Sequence, residues 1–145
     1  MTWPAPLPGL VIRYSYLWKR EARTGQEEGA KDRPCAVVLA LRDDAGRTQV
    51  YALPITHSPP TDGADAVEIP AVVKVRLGLD SARSWVVVSE ANVFAWPGPD
   101  LRFLPGKGPE SSVYGFLPPK FFRLIRDRFL AADSSRKGAL VARTE

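Results

Sequence analysis

The chain has 145 residues, of which 45% are hydrophobic, 10% aromatic and 25% charged, and its 20 basic and 16 acidic residues leave a net charge of +4. These are values for one globular domain, residues 1–145, able to bury roughly two-thirds of its unfolded surface, so neither disulfides nor a metal is required for folding. With one cysteine, Cys35, and one histidine, His57, an intramolecular disulfide and a zinc module of about four Cys or His ligands are excluded.

The longest purely apolar run, Cys35 to Leu41, is far shorter than the ~20 residues of a membrane-spanning helix. The proline-rich start lacks the pattern of a targeting segment, so the expectation is a cytoplasmic protein without a membrane partner. The charge is uneven. Residues 120–145 carry Lys120, Arg123, Arg126, Arg128, Arg136, Lys137 and Arg143 against Asp127, Asp133 and Glu145, while the remainder is balanced. A basic end of this kind attracts nucleic acid or acidic peptide, or is simply a solvated helix face and tail.

Prolines 4, 6 and 8 predict an extended arm over residues 1–8. From Leu10 to Trp18 a period of two places Ile12, Tyr14, Tyr16 and Trp18 on one face of a strand. Residues 19–32 are charged, contain Gly25 and Gly29, and read as a long loop. Cys35–Leu41 reads as a buried strand, joined through a turn at Gly46 to a second strand over Gln49–Ile55, which makes a hairpin. A short edge strand is expected at Ala66–Ile69 and a short helix over 70–77, between Pro70 and Gly78. Trp85–Val88 and Val93–Trp96 are strand-like, and Pro97-Gly98-Pro99 stops the second. Residues 118–132 predict a helix with Phe121, Phe122, Ile125 and Phe129 on one stripe, and residues 134–145 a mobile tail. The expected fold is mainly β, a small curved sheet or partly open barrel, with a packed C-terminal helix.

No phosphate-binding loop, dinucleotide fingerprint, HExxH or GxSxG motif is present. Two short segments carry the chemistry instead: Lys31-Asp32-Arg33-Pro34, leading into the buried strand, and Pro54-Ile55-Thr56-His57, ending its hairpin partner. Antiparallel pairing around a turn near residue 45 brings Arg33 and Thr56 to one rim of the sheet. A guanidinium fork beside a hydroxyl suits a phosphodiester.

Gly9-Leu10-Val11-Ile12, the polar loop with Gly29, Arg33-Pro34 before Ala36-Val37-Val38-Leu39, and Pro54-Ile55-Thr56 after a hairpin resemble the MazF/PemK toxin family. The segment Trp85 to Asn92 with its following aromatic strand, and the last helix, extend the resemblance over roughly residues 9 to 131. It implies an SH3-like barrel and a ribosome-independent endoribonuclease. It also implies a homodimer neutralised by an acidic antitoxin protein, with Arg33 and Thr56 at the catalytic positions. Where the family commonly has an acid followed by Gln and a basic residue, this chain reads Ser89-Glu90-Ala91-Asn92-Val93.

Metal-free cleavage of single-stranded RNA, with no cofactor, needs the 2′-hydroxyl deprotonated, the charge on phosphorus stabilised and the 5′-oxygen protonated. Arg33 suits the second task and, in a desolvated site, the third. Thr56 can donate its hydroxyl to phosphate, and His57 can act as base or acid. Tyr16 and Trp18 could stack on unpaired bases, and with Lys31, Glu90 and Asn92 they form the expected RNA-contacting set. The structural alternatives are a surface ion pair for Arg33, a backbone-bonded strand-end Thr56, a surface His57, and core or dimer-interface packing for the aromatics. The competing function is a catalytically inactive SH3-like barrel that binds nucleic acid or protein.

Overall fold

The computed structural model describes residues 3–25, 31–104, 112–135 and 140–143, with backbone alone for 133–135. The chain runs β1 (Leu10–Tyr14), α1 (Lys19–Arg23), β2 (Arg33–Arg42), β3 (Thr48–Thr56), a short 3-10 turn (Gly63–Asp65), β4 (Ala66–Glu68) and α2 (Ala71–Arg76). It continues through β5 (Trp85–Val87), β6 (Ala91–Ala95), β7 (Val113–Phe116), α3 (Pro119–Ser135) and β8 (Leu140–Ala142). The main path of the sheet is β4-β5-β3-β2-β1-β7, all antiparallel, and β6 branches from β3 to carry β8 in parallel. The expected architecture, a mainly antiparallel sheet with a C-terminal helix, is therefore present.

β3 is the hinge of the design. Its first half, Gln49–Ala52, pairs with β6, and its last residues, Ile55 and Thr56, pair with β5. One strand thereby serves two neighbours on the same side, which bends the sheet. The turn before it contains Gly46 at φ +81, a left-handed conformation that glycine adopts without strain.

The period of two over residues 10–18 is real, but both faces are covered. Ile12, Tyr14, Tyr16 and Trp18 pack with Cys35, Val37, Val50, Ala52, Phe94 and Leu101 in one cluster. Val11 faces the other cluster, with Ala36, Val38, Leu53 and Ile55, closed by Val73 and Leu77 of α2 and by Ile125 and Phe129 of α3. Phe121 and Phe122 lie partly buried against that cluster, so the predicted stripe of α3 is its packing face. Two layers of apolar side chains thus flank one curved sheet, and each fully buried large residue contributes on the order of 1.5–3 kcal/mol.

Four expectations change. The first strand ends at Tyr14, where Ser15 N–H bonds Asp100 O at 2.9 Å and the chain leaves the β2 ladder. Part of the anticipated loop is the single turn α1, which buries no residue and so gives no apolar period; Glu21 accepts from Trp18 N–H at 3.0 Å at its start. Residues 26–30 of that loop lie outside the described residues. β7 was not anticipated because Gly115 interrupts it: at φ +134, with Leu77 Cδ2 3.2 Å from where a Cβ would sit, only glycine fits the irregular pairing with β1.

The fourth correction concerns the tail. Leu140–Ala142 are a strand on β6, and Arg143 is buried; residues 136–139 and 144–145 lie outside the described residues. The Arg143 side chain is 1% exposed and donates to Ser15 O at 2.6 Å, Asn92 Oδ1 at 2.9 Å and Tyr14 OH at 3.4 Å, while Nη2 meets Asp100 Oδ2 at 3.0 Å. The N-terminal arm lies over the surface as expected, with Trp96 Nε1 donating to Pro4 O at 3.0 Å and Trp3 5.7 Å from Phe103 between ring centroids. Among the described residues no helix is long and apolar enough to cross a membrane.

Removing one partner of a buried, hydrogen-bonded ion pair costs about 3–5 kcal/mol, because the other charge stays buried. Arg143→Ala should therefore lower unfolding stability by about that amount in urea titration. Arg143→Lys should recover little of it, since an ammonium cannot reproduce the fork.

Candidate functional site

Arg33 opens β2 and Thr56 closes β3. The pairs Cys35 to Pro54 and Ala36 to Leu53 continue to these two positions, which lie on the Trp18 side of the sheet. Both line a cleft of about 460 Å³ whose walls also include Trp18, Arg20, Lys31, Asp32, His57 and Asp80. A second hollow of about 270 Å³ shares Trp18, Arg20, Thr56 and Ser58 with it and extends to Pro60, Val87 and Glu90.

Arg33 is the chemically distinctive group. Its guanidinium is partly buried, and burial is the main cause pulling its pKa below the ordinary value, though an Arg so placed keeps its charge. Nη1 makes one long contact, 3.5 Å to Ile55 O, and the guanidinium sits 5.0 Å from the Trp18 ring centroid. Nε is buried without an acceptor among the described residues. A buried donor left without a partner costs about 1–3 kcal/mol, so the fold holds a cation in a state that a bound anion would relieve. Thr56 Oγ1 accepts from Ser58 N–H at 3.1 Å, which leaves its hydroxyl hydrogen for donation.

The acids on the cleft walls are committed elsewhere. Asp32 lies 3.9 Å from Arg13 and 3.5 Å from Arg102, not against Arg33. Glu21 caps α1. Asp80 meets His57 Nε2 at 2.8 Å and Lys74 Nζ at 2.7 Å, and the Lys74 hydrogen bond, with His57 adding to it, holds the Asp80 carboxyl below its ordinary value. Arg20, Lys31 and Arg33 thus face the cleft with no carboxylate within 4 Å among the described residues. The cleft is built for an anion.

No protein-family model matches the chain, and no curated protein sequence matches it. The site is judged on its own geometry.

That geometry gathers Arg33, Thr56, His57, Lys31 and Trp18 in one cleft and puts Glu90 in the adjoining hollow. It does not bring Tyr16 or Asn92 there. Tyr16 is 1% exposed, and its hydroxyl donates to Glu90 Oε2 at 3.0 Å. Burial, reinforced by Glu90, raises the Tyr16 phenol well above its ordinary value. Asn92 is fully buried, its amide exchanging hydrogen bonds with Leu17 N–H at 2.9 Å and Leu17 O at 2.7 Å. Both brace the cleft floor and present no face to a base. Trp18, 8% exposed, is a wall whose ring is approached by the guanidiniums of Arg20 at 4.9 Å and Arg33 at 5.0 Å. Cys35 is buried, which pushes its thiol up and leaves it an inert core residue.

Sequence reading missed Asp80, Lys74 and Ser84. Lys74 sits in Ala71-Val72-Val73-Lys74-Val75-Arg76, where a lysine reads as the wet side of the helix; it is 5% exposed. Among the described residues no three His, Cys, Asp or Glu side chains are grouped as metal ligands.

Glu90 supplies a test of the wall. Oε2 accepts from Tyr16 OH and, at 2.8 Å, from Lys19 N–H, and burial raises its carboxyl above the ordinary value. A raised acid favours folding below its unfolded pKa, and that contribution is lost as pH rises through the folded value. Glu90→Gln keeps an acceptor without the buried charge, so its stability relative to wild type should improve as pH rises from about 4 to 8. Glu90→Ala should lose about 1–3 kcal/mol by leaving the Tyr16 hydroxyl unpaired. Urea unfolding at both pH values reads each outcome.

Proposed function

We propose that this protein is an endoribonuclease of the MazF/PemK type on an SH3-like barrel, cutting single-stranded RNA by attack of the 2′-hydroxyl on the adjacent phosphodiester. The observation that carries the reading is the partly buried Arg33 guanidinium, unpaired at Nε and free of carboxylates, beside the Thr56 hydroxyl in one anion-suited cleft. The mainly antiparallel sheet with its C-terminal helix is compatible with such a barrel.

Each group then has a task. Arg33 binds the non-bridging phosphate oxygens and strengthens its hold as charge grows on them in the transition state. Thr56 donates to the same oxygens. Arg20 and Lys31 attract the neighbouring backbone phosphates, and His57 is within the cleft for proton transfer. Trp18 fixes the Arg33 guanidinium by cation–π contact, which limits reorganisation during the reaction. The same reading includes a cytoplasmic homodimer, whose interface would cover apolar residues such as Phe116 at 52% exposure, and an acidic protein that occupies the cationic cleft as inhibitor.

Incubation of the purified protein with a mixed single-stranded RNA, followed by mapping of product ends, is the test. Cleavage should survive EDTA and leave a 5′-hydroxyl on the downstream fragment. Arg33→Ala should slow it by on the order of a hundred-fold or more with an unchanged circular dichroism spectrum, and Arg33→Lys should also be poor. RNA affinity should fall with salt by roughly 0.7 in logarithmic slope per phosphate neutralised. Wild-type rates in Arg33→Ala, or 5′-phosphate ends, would remove the reading. Binding without cleavage would instead support an inactive RNA-binding barrel.

A further inference from the structure

His57 is held by an anchor that reaches into the core. Asp80 lies just after α2, and both its carboxylate oxygens are engaged: Oδ1 accepts from Lys74 Nζ at 2.7 Å and from Ala82 N–H at 3.2 Å, and Oδ2 faces His57 Nε2 at 2.8 Å. Lys74 is 5% exposed and also donates to Ser84 Oγ at 2.7 Å and to Ala82 O, so its three hydrogens are all taken. An exposed His–Asp pair alone would be a weak surface contact. Here the carboxylate is fixed from beneath by a buried cation with no freedom to turn, and its outer oxygen marks one place for the imidazole.

A neutral imidazole that donates its Nε2 hydrogen to Asp80 keeps Nδ1 as its basic atom. His57 directly follows Thr56 and lines the cleft that Arg33 occupies. Resting on the ribonuclease reading above, we infer that Lys74 and Asp80 are positioning residues that hold His57 in the tautomer whose Nδ1 removes the 2′-hydroxyl proton from RNA bound in the cleft. Nδ1 takes that proton, O2′ bonds to phosphorus, and the bond from phosphorus to the 5′-oxygen breaks. The 5′-oxygen leaves with a proton from solvent, the upstream fragment ends in a 2′,3′-cyclic phosphate, and His57 returns its proton to solvent.

The charged groups sharing the cleft with His57 are Asp80 after α2, Lys31, Asp32 and Arg33 at the start of β2, and Arg20 and Glu21 of α1, with Lys74 of α2 behind Asp80. Because Lys74 balances the Asp80 charge, the chief work of Asp80 is orientation.

His57 is the one histidine of the chain, so its imidazole signals need no assignment. Nitrogen-15 NMR of the full-length protein at pH 8 should show Nε2 protonated and Nδ1 free. Asp80→Asn keeps a carbonyl for Lys74 but turns an amide donor toward His57, which should move the proton to Nδ1. On a single-stranded RNA oligonucleotide, Asp80→Asn should lower kcat at least about ten-fold with KM little changed, and His57→Gln about a hundred-fold or more with loss of the acid limb of the kcat profile. A 2′-deoxy oligonucleotide should bind both variants as it binds wild type. Nδ1 protonation in the wild type, or an unchanged kcat and acid limb in His57→Gln, would overturn the inference while leaving Arg33 and Thr56 in place. Absence of any wild-type cleavage would overturn the ribonuclease reading itself, and the NMR result would still decide whether Asp80 sets the tautomer.

Discussion

Arg33 and Thr56 share a cleft because one residue is left out of a ladder. Near the turn, Arg42 stands opposite Thr48; at the far end, Cys35 stands opposite Pro54, and the difference of one residue is absorbed at an irregularity between Val37 and Leu39. A strand that slips by one residue exchanges its faces. Without the irregularity Arg33 would stand opposite His57, and Thr56 would turn to the α2 and α3 side. The bulge also directs Val38 into the cluster beneath α3 while Val37 stays against Phe94, so a displaced register would bury the wrong side chains in both layers.

Beneath the cleft the structure relies on polar contacts in an apolar setting. Asn92 ties Leu17 on both its N–H and its C=O, Glu90 ties Tyr16 and Lys19, and Arg143 joins Asn92 to Ser15 and Asp100. All act on residues 14–19, the segment that delivers Trp18 to the wall of the cleft. Such a network in low dielectric is rigid when each member is satisfied and costly when one is lost. The segment has left the β1 ladder, so side chains from β6 and from the residue after β8 supply the fixation that backbone pairing does not.

The legible parts of the molecule were those in which chemistry and period coincide. The hairpin was readable from an apolar run, a glycine turn and a second run, and with it the meeting of Arg33 and Thr56. The α3 stripe was readable from its phenylalanines. Tyr16 was misread because alternation tells which residues share a face and not whether that face is wet; with both faces of β1 covered, no polar side marks the outside. Asn92 was read as a contact residue because polar side chains inside strands are mostly exposed, and here a partner 75 residues away in sequence makes burial tolerable. Lys74 and Asp80 were invisible for a related reason. Their meaning arises only when α2 is laid against the end of β3, a long-range arrangement that no local spacing encodes.

The docking of β8 bears on how the chain reaches this structure. Arg143 closes contacts with Ser15 and Tyr14 across 128 and 129 residues of sequence, so their loop-closure entropy must be met before they contribute. Proteins dominated by such distant pairings fold in milliseconds to seconds. Until that event the outer edge of β6 carries free backbone donors and acceptors beside the apolar side chains of Val93 and Phe94, the arrangement that recruits a foreign strand. β8 is thus an edge cover as well as an anchor, and the final step in assembling the floor of the cleft is also the one that ends the chain's exposure to aggregation.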